Sequence, residues 1–279
     1  MRKIYKSIMN TLDQEAPEYI YKYGTWDDIL FRKLITEQVA YFASPQIYGE
    51  EADIKHKIDR SILEEDNRLQ FYSNHYKKLC PLCSEDEITR MAKNALKNNI
   101  ITEDKLLEVE QRWQKIYNEL IGVFCTGLTP YEKILWRDFG GKAKEMNIIS
   151  GICIKIDREQ AFPEVFGTGK KTNYGSPILF NPLLIYQSDT EAEKYASEFL
   201  FTLPADFCDE NEYRIVRLLK NNKDREIPIP KESIKQIILN PKMGKEKMQE
   251  IKKCIQFILP DTEIKQLKRS NQTYKLVTI

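Results

Sequence analysis

Tyr19-Ile20-Tyr21-Lys22-Tyr23 is short, aromatic and β-prone, and it opens the part of the chain from which the fold is read. Next, Asp27 to Thr36 places Ile29, Leu30, Lys33 and Leu34 at helical spacing, with Thr25 as the expected cap. Val39-Ala40-Tyr41-Phe42 reads as a second short strand. It ends at Ser44-Pro45, because a following proline disfavours continuation. Residues 18–54 are thus expected to run strand, helix, strand.

Working outward, residues 55–119 are strongly charged and read as helical. Thr102 is a good N-cap, and Glu103 and Asp104 suit the positive end of the helix dipole. Leu106, Val109, Trp113, Ile116 and Leu120 recur every three or four residues, which predicts one buried stripe. From about 120 the pattern returns to β structure, with strands expected at Leu120–Cys125, Gly151–Ile156, Ile178–Tyr186, Glu212–Leu218, Ile234–Leu239, Glu263–Leu267 and Tyr274–Thr278. Helices are expected over Tyr131–Phe139, Thr190–Leu200 and Lys245–Leu259, the last closed by Pro260. The expected fold class is α+β: a mostly antiparallel β core with a helical insertion after the first two strands. Residues 1–54 and 120–279 form that core and 55–119 the insertion, within one domain.

Composition removes several function classes. Of 279 residues, 42% are apolar and 30% charged, which is ordinary globular usage and excludes disordered or collagen-like chains. Lys+Arg 43 against Asp+Glu 42 leaves +1, so the surface as a whole is not tuned to nucleic acid or anionic lipid. No apolar run is long enough to span a bilayer, and MRKIYKSIMNTLDQE lacks the apolar core of a signal peptide, so a cytoplasmic location and no membrane partner are expected. The six cysteines are sparse and read as reduced thiols. With only His56 and His75, a multi-histidine metal centre is excluded and histidine bases are scarce. Any catalysis falls to carboxylates, aromatics, lysines and backbone groups.

Four short motifs carry residues capable of chemistry. Cys80-x-x-Cys83 lacks two further ligands at familiar spacing, and no βαβ unit surrounds it, so it reads as two thiols at a helix break. Gly167-Thr168-Gly169-Lys170-Lys171-Thr172 has Glu164 and Lys171 where a phosphate loop needs glycine and a hydroxyl, so it reads as a loop with exposed lysines. In Glu212-Tyr213-Arg214-Ile215-Val216, strand alternation puts Glu212, Arg214 and Val216 on one face and Tyr213 and Ile215 on the other. The group is either a charged rim or a carboxylate aimed into a cleft with Arg214 as its partner or as an anion holder. Trp136 and Phe139 share a helix face, as core packing or as an aromatic wall for a planar ligand.

The order of these landmarks resembles the domain-of-unknown-function 2971 family, whose members are often found among bacterial phage-defence genes. The resemblance rests on Ile20-Tyr21-Lys22-Tyr23, Tyr41-Phe42-Ala43-Ser44-Pro45, Ile121–Cys125, Leu135-Trp136, Gly151-Ile152-Cys153-Ile154, Glu212-Tyr213-Arg214, and the tail of Ile234–Leu239, Pro241-Lys242 and Gly244–Leu259. The chain departs from the family in having Gln46-Ile47-Tyr48-Gly49-Glu50 after serine-proline, and Phe139 where a tyrosine is usual. The family is in turn similar to ADP-ribosyltransferase-like proteins with a split sheet. In these an initial strand bears a ligand-contacting residue, aromatics line a nicotinamide pocket, and a late strand begins with the catalytic glutamate.

That resemblance implies Glu212 as the catalytic glutamate. It implies Tyr21, Lys22, Tyr23, Ser44, Trp136, Phe139 and Arg214 as the residues that bind NAD, and no metal. It also implies an abortive-infection effector that transfers ADP-ribose to a macromolecular acceptor or hydrolyses NAD+. A different class stands beside it: a non-enzymatic sensor or adaptor whose groove binds a phage-encoded protein, a nucleotide or a nucleic-acid end. A nuclease is disfavoured, because the carboxylates are scattered rather than clustered.

Overall fold

The computed structural model describes residues 16–47, 54–55, 57–132, 136, 150–163, 168–183, 194–195, 198–221, 224–270 and 273–279. The architecture is mixed α/β around a large, mostly antiparallel sheet. Its strands in chain order are β1 (Tyr19–Thr25), β2 (Val39–Tyr41), β3 (Ile121–Gly127), β4 (Gly151–Asp157), β5 (Thr168–Lys171), β6 (Asn173–Gly175), β7 (Thr202–Pro204), β8 (Glu212–Leu218), β9 (Glu226–Pro228), β10 (Ile234–Leu239), β11 (Glu263–Ser270) and β12 (Thr273–Thr278). The helices are α1 (Ile29–Thr36), α2 (Glu65–Leu79), α3 (Glu85–Lys97), α4 (Glu103–Leu120), α5 (Arg158–Ala161) and α6 (Lys245–Ile258).

Eight strands form the main sheet in the order β12-β11-β10-β4-β1-β3-β8-β5, so the first described strand lies near its centre. Every pairing is antiparallel except β10 with β11. A parallel pair needs a crossover, and α6 supplies it by laying Ile251 and Ile255 on the sheet. One face of the sheet carries Ile20, Phe124, Ile152, Ile154, Ile156, Tyr213, Ile215 and Ile237, all under α1, α6 and Trp26. Each fully buried isoleucine here contributes about 1.5–3 kcal/mol.

The sheet forks between β1 and β3. Tyr21 pairs with Gly127, but further along Val123 pairs with Ala43 instead of β1. β2 does not join the main sheet and forms a small ribbon with β9. Between β2 and β3 the chain forms a 3-10 turn at Arg60–Leu63 and then α2, α3 and α4, with the Ser84–Glu87 capping box starting α3 and Thr102 capping α4.

Some expectations require correction. Asp28, not Thr25, caps α1, its carboxylate accepting from the amides of Leu30 and Phe31. Thr25 still belongs to β1. The stripe on α4 is buried at Leu106, whereas Val109 and Trp113 are each 39% exposed. Ile178–Tyr186 is not a strand where it is described. Phe180 makes one isolated bridge to Ile58, and Leu183 lies in 3-10 structure. The lysine-bearing loop is the edge strand β5, paired to β8. In the expected helix Tyr131–Phe139, Tyr131 is in a turn and Trp136 is helical, and Phe139 lies outside the described residues. None of the described helices is long and apolar enough to cross a membrane.

Candidate functional site

Glu212 is the first residue of β8, and its backbone is held on three sides. Asn211, just before it, has φ 46, a left-handed conformation that asparagine tolerates. It ends the 3-10 turn Ala205–Glu210 and turns the chain into the strand. The Glu212 amide donates to Tyr174 Oη at 2.7 Å, and its carbonyl accepts from the Thr172 amide and hydroxyl, both at 3.0 Å. The side chain is 6% exposed, and Oε1 accepts from Arg214 Nε, one strand pleat away on the same face. Arg214 itself is 1% exposed.

The register places the neighbours. Glu212 pairs with Gly127, and Gly127 pairs with Tyr21, so these three share one row and one face. Gly127 has no side chain, so β3 puts nothing between the Tyr21 ring and the carboxylate. Along β1, two residues further and on the same face, Tyr23 meets Trp136 edge to face, with ring centroids 5.2 Å apart. Trp136 Nε1 donates to the Pro130 carbonyl at 2.7 Å, and the Tyr23 hydroxyl donates to the Thr129 carbonyl at 2.6 Å. Glu132 ties this loop to both strands. Its amide donates to Tyr23 Oη, and its Oε1 accepts from Asn211 Nδ2 at 3.2 Å. Tyr21, Tyr23, Trp136, Glu212 and Arg214 are therefore gathered at one end of the sheet.

Burial dominates the electrostatics here. It raises the Tyr23 phenol far above its ordinary value, with Cys153 beside it adding to the effect, and raises Tyr21 for the same main reason. The Cys153 thiol is likewise pushed well up by burial. These groups stay protonated and act as apolar surface with hydroxyl donors. What the arrangement offers chemically is one oriented carboxylate, an aromatic flank and a guanidinium.

Two expected members are not part of this arrangement. Lys22 alternates to the opposite face, where its ammonium lies 4.7 Å from the Phe124 ring centroid and donates to the Cys125 carbonyl at 2.9 Å. Burial lowers its pKa, partly offset by Cys125, Glu212 and Asp28. Ser44 sits at the far end of β3, its hydroxyl donating to the Asn118 carbonyl at 2.9 Å. The six residue steps from Ile121 to Gly127 separate that end from Glu212 by about 20 Å.

Ser44 instead borders an open polar cavity of about 800 Å³ with Tyr41, Gln111, Gln114, Lys115 and Arg225 among its walls. Sequence reasoning missed Arg225. It is 5% exposed, and its guanidinium bonds the carbonyls of Phe42, Ile121, Asn118 and Glu119. Nothing in the local sequence marks it, because its partners are backbone atoms far away in the chain. Among the described residues no group of three or more His, Cys, Asp or Glu is placed to hold a metal ion.

Comparison of the chain with protein-family models, with curated proteins and with solved structures finds no match.

Proposed function

We propose that the chain consumes NAD+ as an ADP-ribosyltransferase-like or NAD-hydrolysing effector of bacterial phage defence, with Glu212 as its acidic residue. The observation that carries this reading is the state of the Glu212 carboxylate at the head of β8. Arg214 engages Oε1, no described residue donates to Oε2, and Tyr21 lies one strand beyond the side-chain-free Gly127. The resemblance calls for a ligand-contacting initial strand and a glutamate-led late strand. In the sheet only β3 separates these two strands.

In this reading Glu212 Oε2 accepts the ribose 2′-hydroxyl, and the carboxylate stabilises positive charge that develops on the sugar as the bond to nicotinamide breaks. Nicotinamide leaves neutral with the bonding electron pair. An acceptor hydroxyl or water then bonds to the sugar carbon, and its proton passes to solvent. Tyr21 and the Tyr23–Trp136 pair supply the flat wall for the leaving ring, and Arg214 fixes the carboxylate.

Nicotinamide release from NAD+ tests this. Glu212→Gln is expected to lower the rate by about 100-fold or more. Thermal melting of each variant is read in parallel, because the carboxylate also balances buried Arg214. A folded Glu212→Gln protein as fast as the parent removes the assignment.

One observation favours the second reading, a sensor or adaptor without catalysis. The polar cavity beside Ser44 and Arg225 stands at the other end of β3 from Glu212. Its amide, hydroxyl and cationic walls, with Glu119 as one acidic member, suit a phage protein segment, a nucleotide or a nucleic-acid end. Calorimetry separates the two readings: the adaptor reading expects no NAD+ binding at millimolar ligand.

A further inference from the structure

The Glu212 row does not stop at Tyr21. Tyr21 also pairs with Lys155 of β4, Lys155 with Gln236 of β10, and Gln236 with Glu263 of β11. Lys155 is half-buried on a strand whose Ile152, Ile154 and Ile156 are fully buried on the opposite face, while Cys153 on its own face is buried too. The Lys155 side chain is therefore on the same face as Glu212 and Tyr21.

Among the described residues Lys155 makes no close ion pair; Glu263, further along the row, acts on it only through space. The carboxylates along this row and on its own strand have other partners. Glu263 accepts from Gln236 Nε2 at 2.5 Å and pairs with Lys265 at 3.0 Å. Asp157 pairs with Lys235 at 3.5 Å and accepts from the Gln160 amide at 3.0 Å. Among the described residues no carboxylate lies within ion-pair distance of Lys155 Nζ, which rests 3.7 Å from the centroid of the Tyr19 ring. An ammonium has three donors, and a ring face satisfies the charge only in part. It remains open to an oxyanion at the surface of the sheet.

We propose that Lys155, flanked by Tyr19 and Tyr21, is a phosphate-binding position for the pyrophosphate of a dinucleotide whose sugar reaches Glu212. This inference deepens the reading above and rests on it. Three inter-strand steps separate the Cα atoms of Glu212 and Lys155, about 14 Å. The long lysine stem shortens that span, and only Tyr21 and side-chain-free Gly127 stand between. A lysine acts on phosphate as a mobile point charge, so arginine in its place retains most of the effect and an uncharged side chain loses it.

Titration calorimetry of the full chain with NAD+, ADP-ribose, inorganic pyrophosphate and nicotinamide is the test, on wild type, Lys155→Gln and Lys155→Arg. Circular dichroism confirms that each variant is folded. Lys155→Gln is expected to weaken NAD+, ADP-ribose and pyrophosphate by about tenfold or more, to leave nicotinamide unchanged, and to flatten the salt dependence, while Lys155→Arg stays close to the parent. Equal NAD+ affinity in wild type and Lys155→Gln overturns the subsite and leaves the NAD+ reading standing. Pyrophosphate binding that depends on Lys155, without NAD+ turnover, keeps the subsite and removes that reading. No binding of any of these probes overturns both.

Discussion

Lys22 reaches into the fork between β1 and β3 and donates its ammonium to the carbonyl of Cys125 at 2.9 Å. Where two strands splay, ladder hydrogen bonds are lost, and the freed carbonyl needs another donor. Lys22 supplies it while its stem lies over Phe124.

Lys22→Met keeps the stem and removes the donor. Taking a charged donor away from a half-buried carbonyl costs about 1–3 kcal/mol, and losing a desolvated charge offsets part of that. The expected net loss is about 1 kcal/mol in a urea melt. On the proposed reading, NAD+ affinity should not change, since the side chain is on the face away from Glu212. A stable Lys22→Met protein that no longer binds NAD+ would contradict the wedge role.

Gly169 lies on edge strand β5 directly under the phenol of Tyr213, and a Cβ there would fall well inside van der Waals contact with the ring oxygen and carbons. Gly169→Ala should therefore cost about 1–3 kcal/mol by overpacking. Tyr213→Leu, which shortens the ring side, should recover part of that in the double variant, a coupling that a double-mutant cycle on denaturation midpoints detects. Two independent, additive losses would refute the contact. The glycine is thus needed for close packing against a core ring, which explains a glycine-lysine stretch that only superficially resembles a phosphate loop.

Arg225 is a clamp between the insertion and the core. Its guanidinium holds the carbonyls of Asn118 and Glu119 at the C-terminal end of α4, of Ile121 at the start of β3, and of Phe42 after β2. Arg225→Met should cost about 3 kcal/mol or more, because several buried acceptors lose a charged donor together. Arg225→Lys should recover only a fraction, since a point ammonium cannot span the same set of carbonyls. Urea midpoints of both variants equal to the parent would show that the contacts contribute nothing.

The parts of the fold that sequence conveyed were those encoded by local period. The alternation in Glu212–Val216 placed Glu212 and Arg214 together, and Thr102 was legible as a cap because its role is fulfilled three residues later. Which face Lys22 takes relative to Glu212 was not legible. Alternation within β1 separates Lys22 from Tyr21, but only the pairing of Tyr21 with Gly127 and of Gly127 with Glu212 says which of them shares the glutamate's side. The stripe on α4 shows the same gap, since spacing defines an apolar face but not whether anything covers Val109 and Trp113. Ser44 adjoins Pro45 in sequence, which ties it only to the aromatic strand before it. Its actual place follows from the bridge between Ala43 and Val123, a contact of long range.

Alkaline solution should unfold the protein earlier than its near-neutral charge suggests. Burial raises Cys153 above the ordinary thiol value of 9.0 and Tyr23 and Tyr195 far above the phenol value of 10.0, and Tyr117 is pushed up to about 12. In each case the unfolded chain loses its proton first, so the folded state holds more protons between the two pKa values and stability falls as pH rises. Lys22 works the other way. Its folded pKa lies below 10.5, the unfolded chain binds the extra proton, and its share of stability grows with pH up to that value. One lysine opposes four buried acids, so the net slope is downward. Melting temperature should begin to fall near pH 9 and steepen above pH 10, where the phenols join. Cys153→Ala removes the earliest of these groups, so its onset should move toward pH 10 even though its melting temperature at neutral pH is lower. A melting temperature that stays flat through pH 11 would mean that these side chains are solvated in the folded protein, and the aromatic packing around Tyr23 and Trp136 would then have to be abandoned, since about one pH unit past the phenol value is enough to expose the effect.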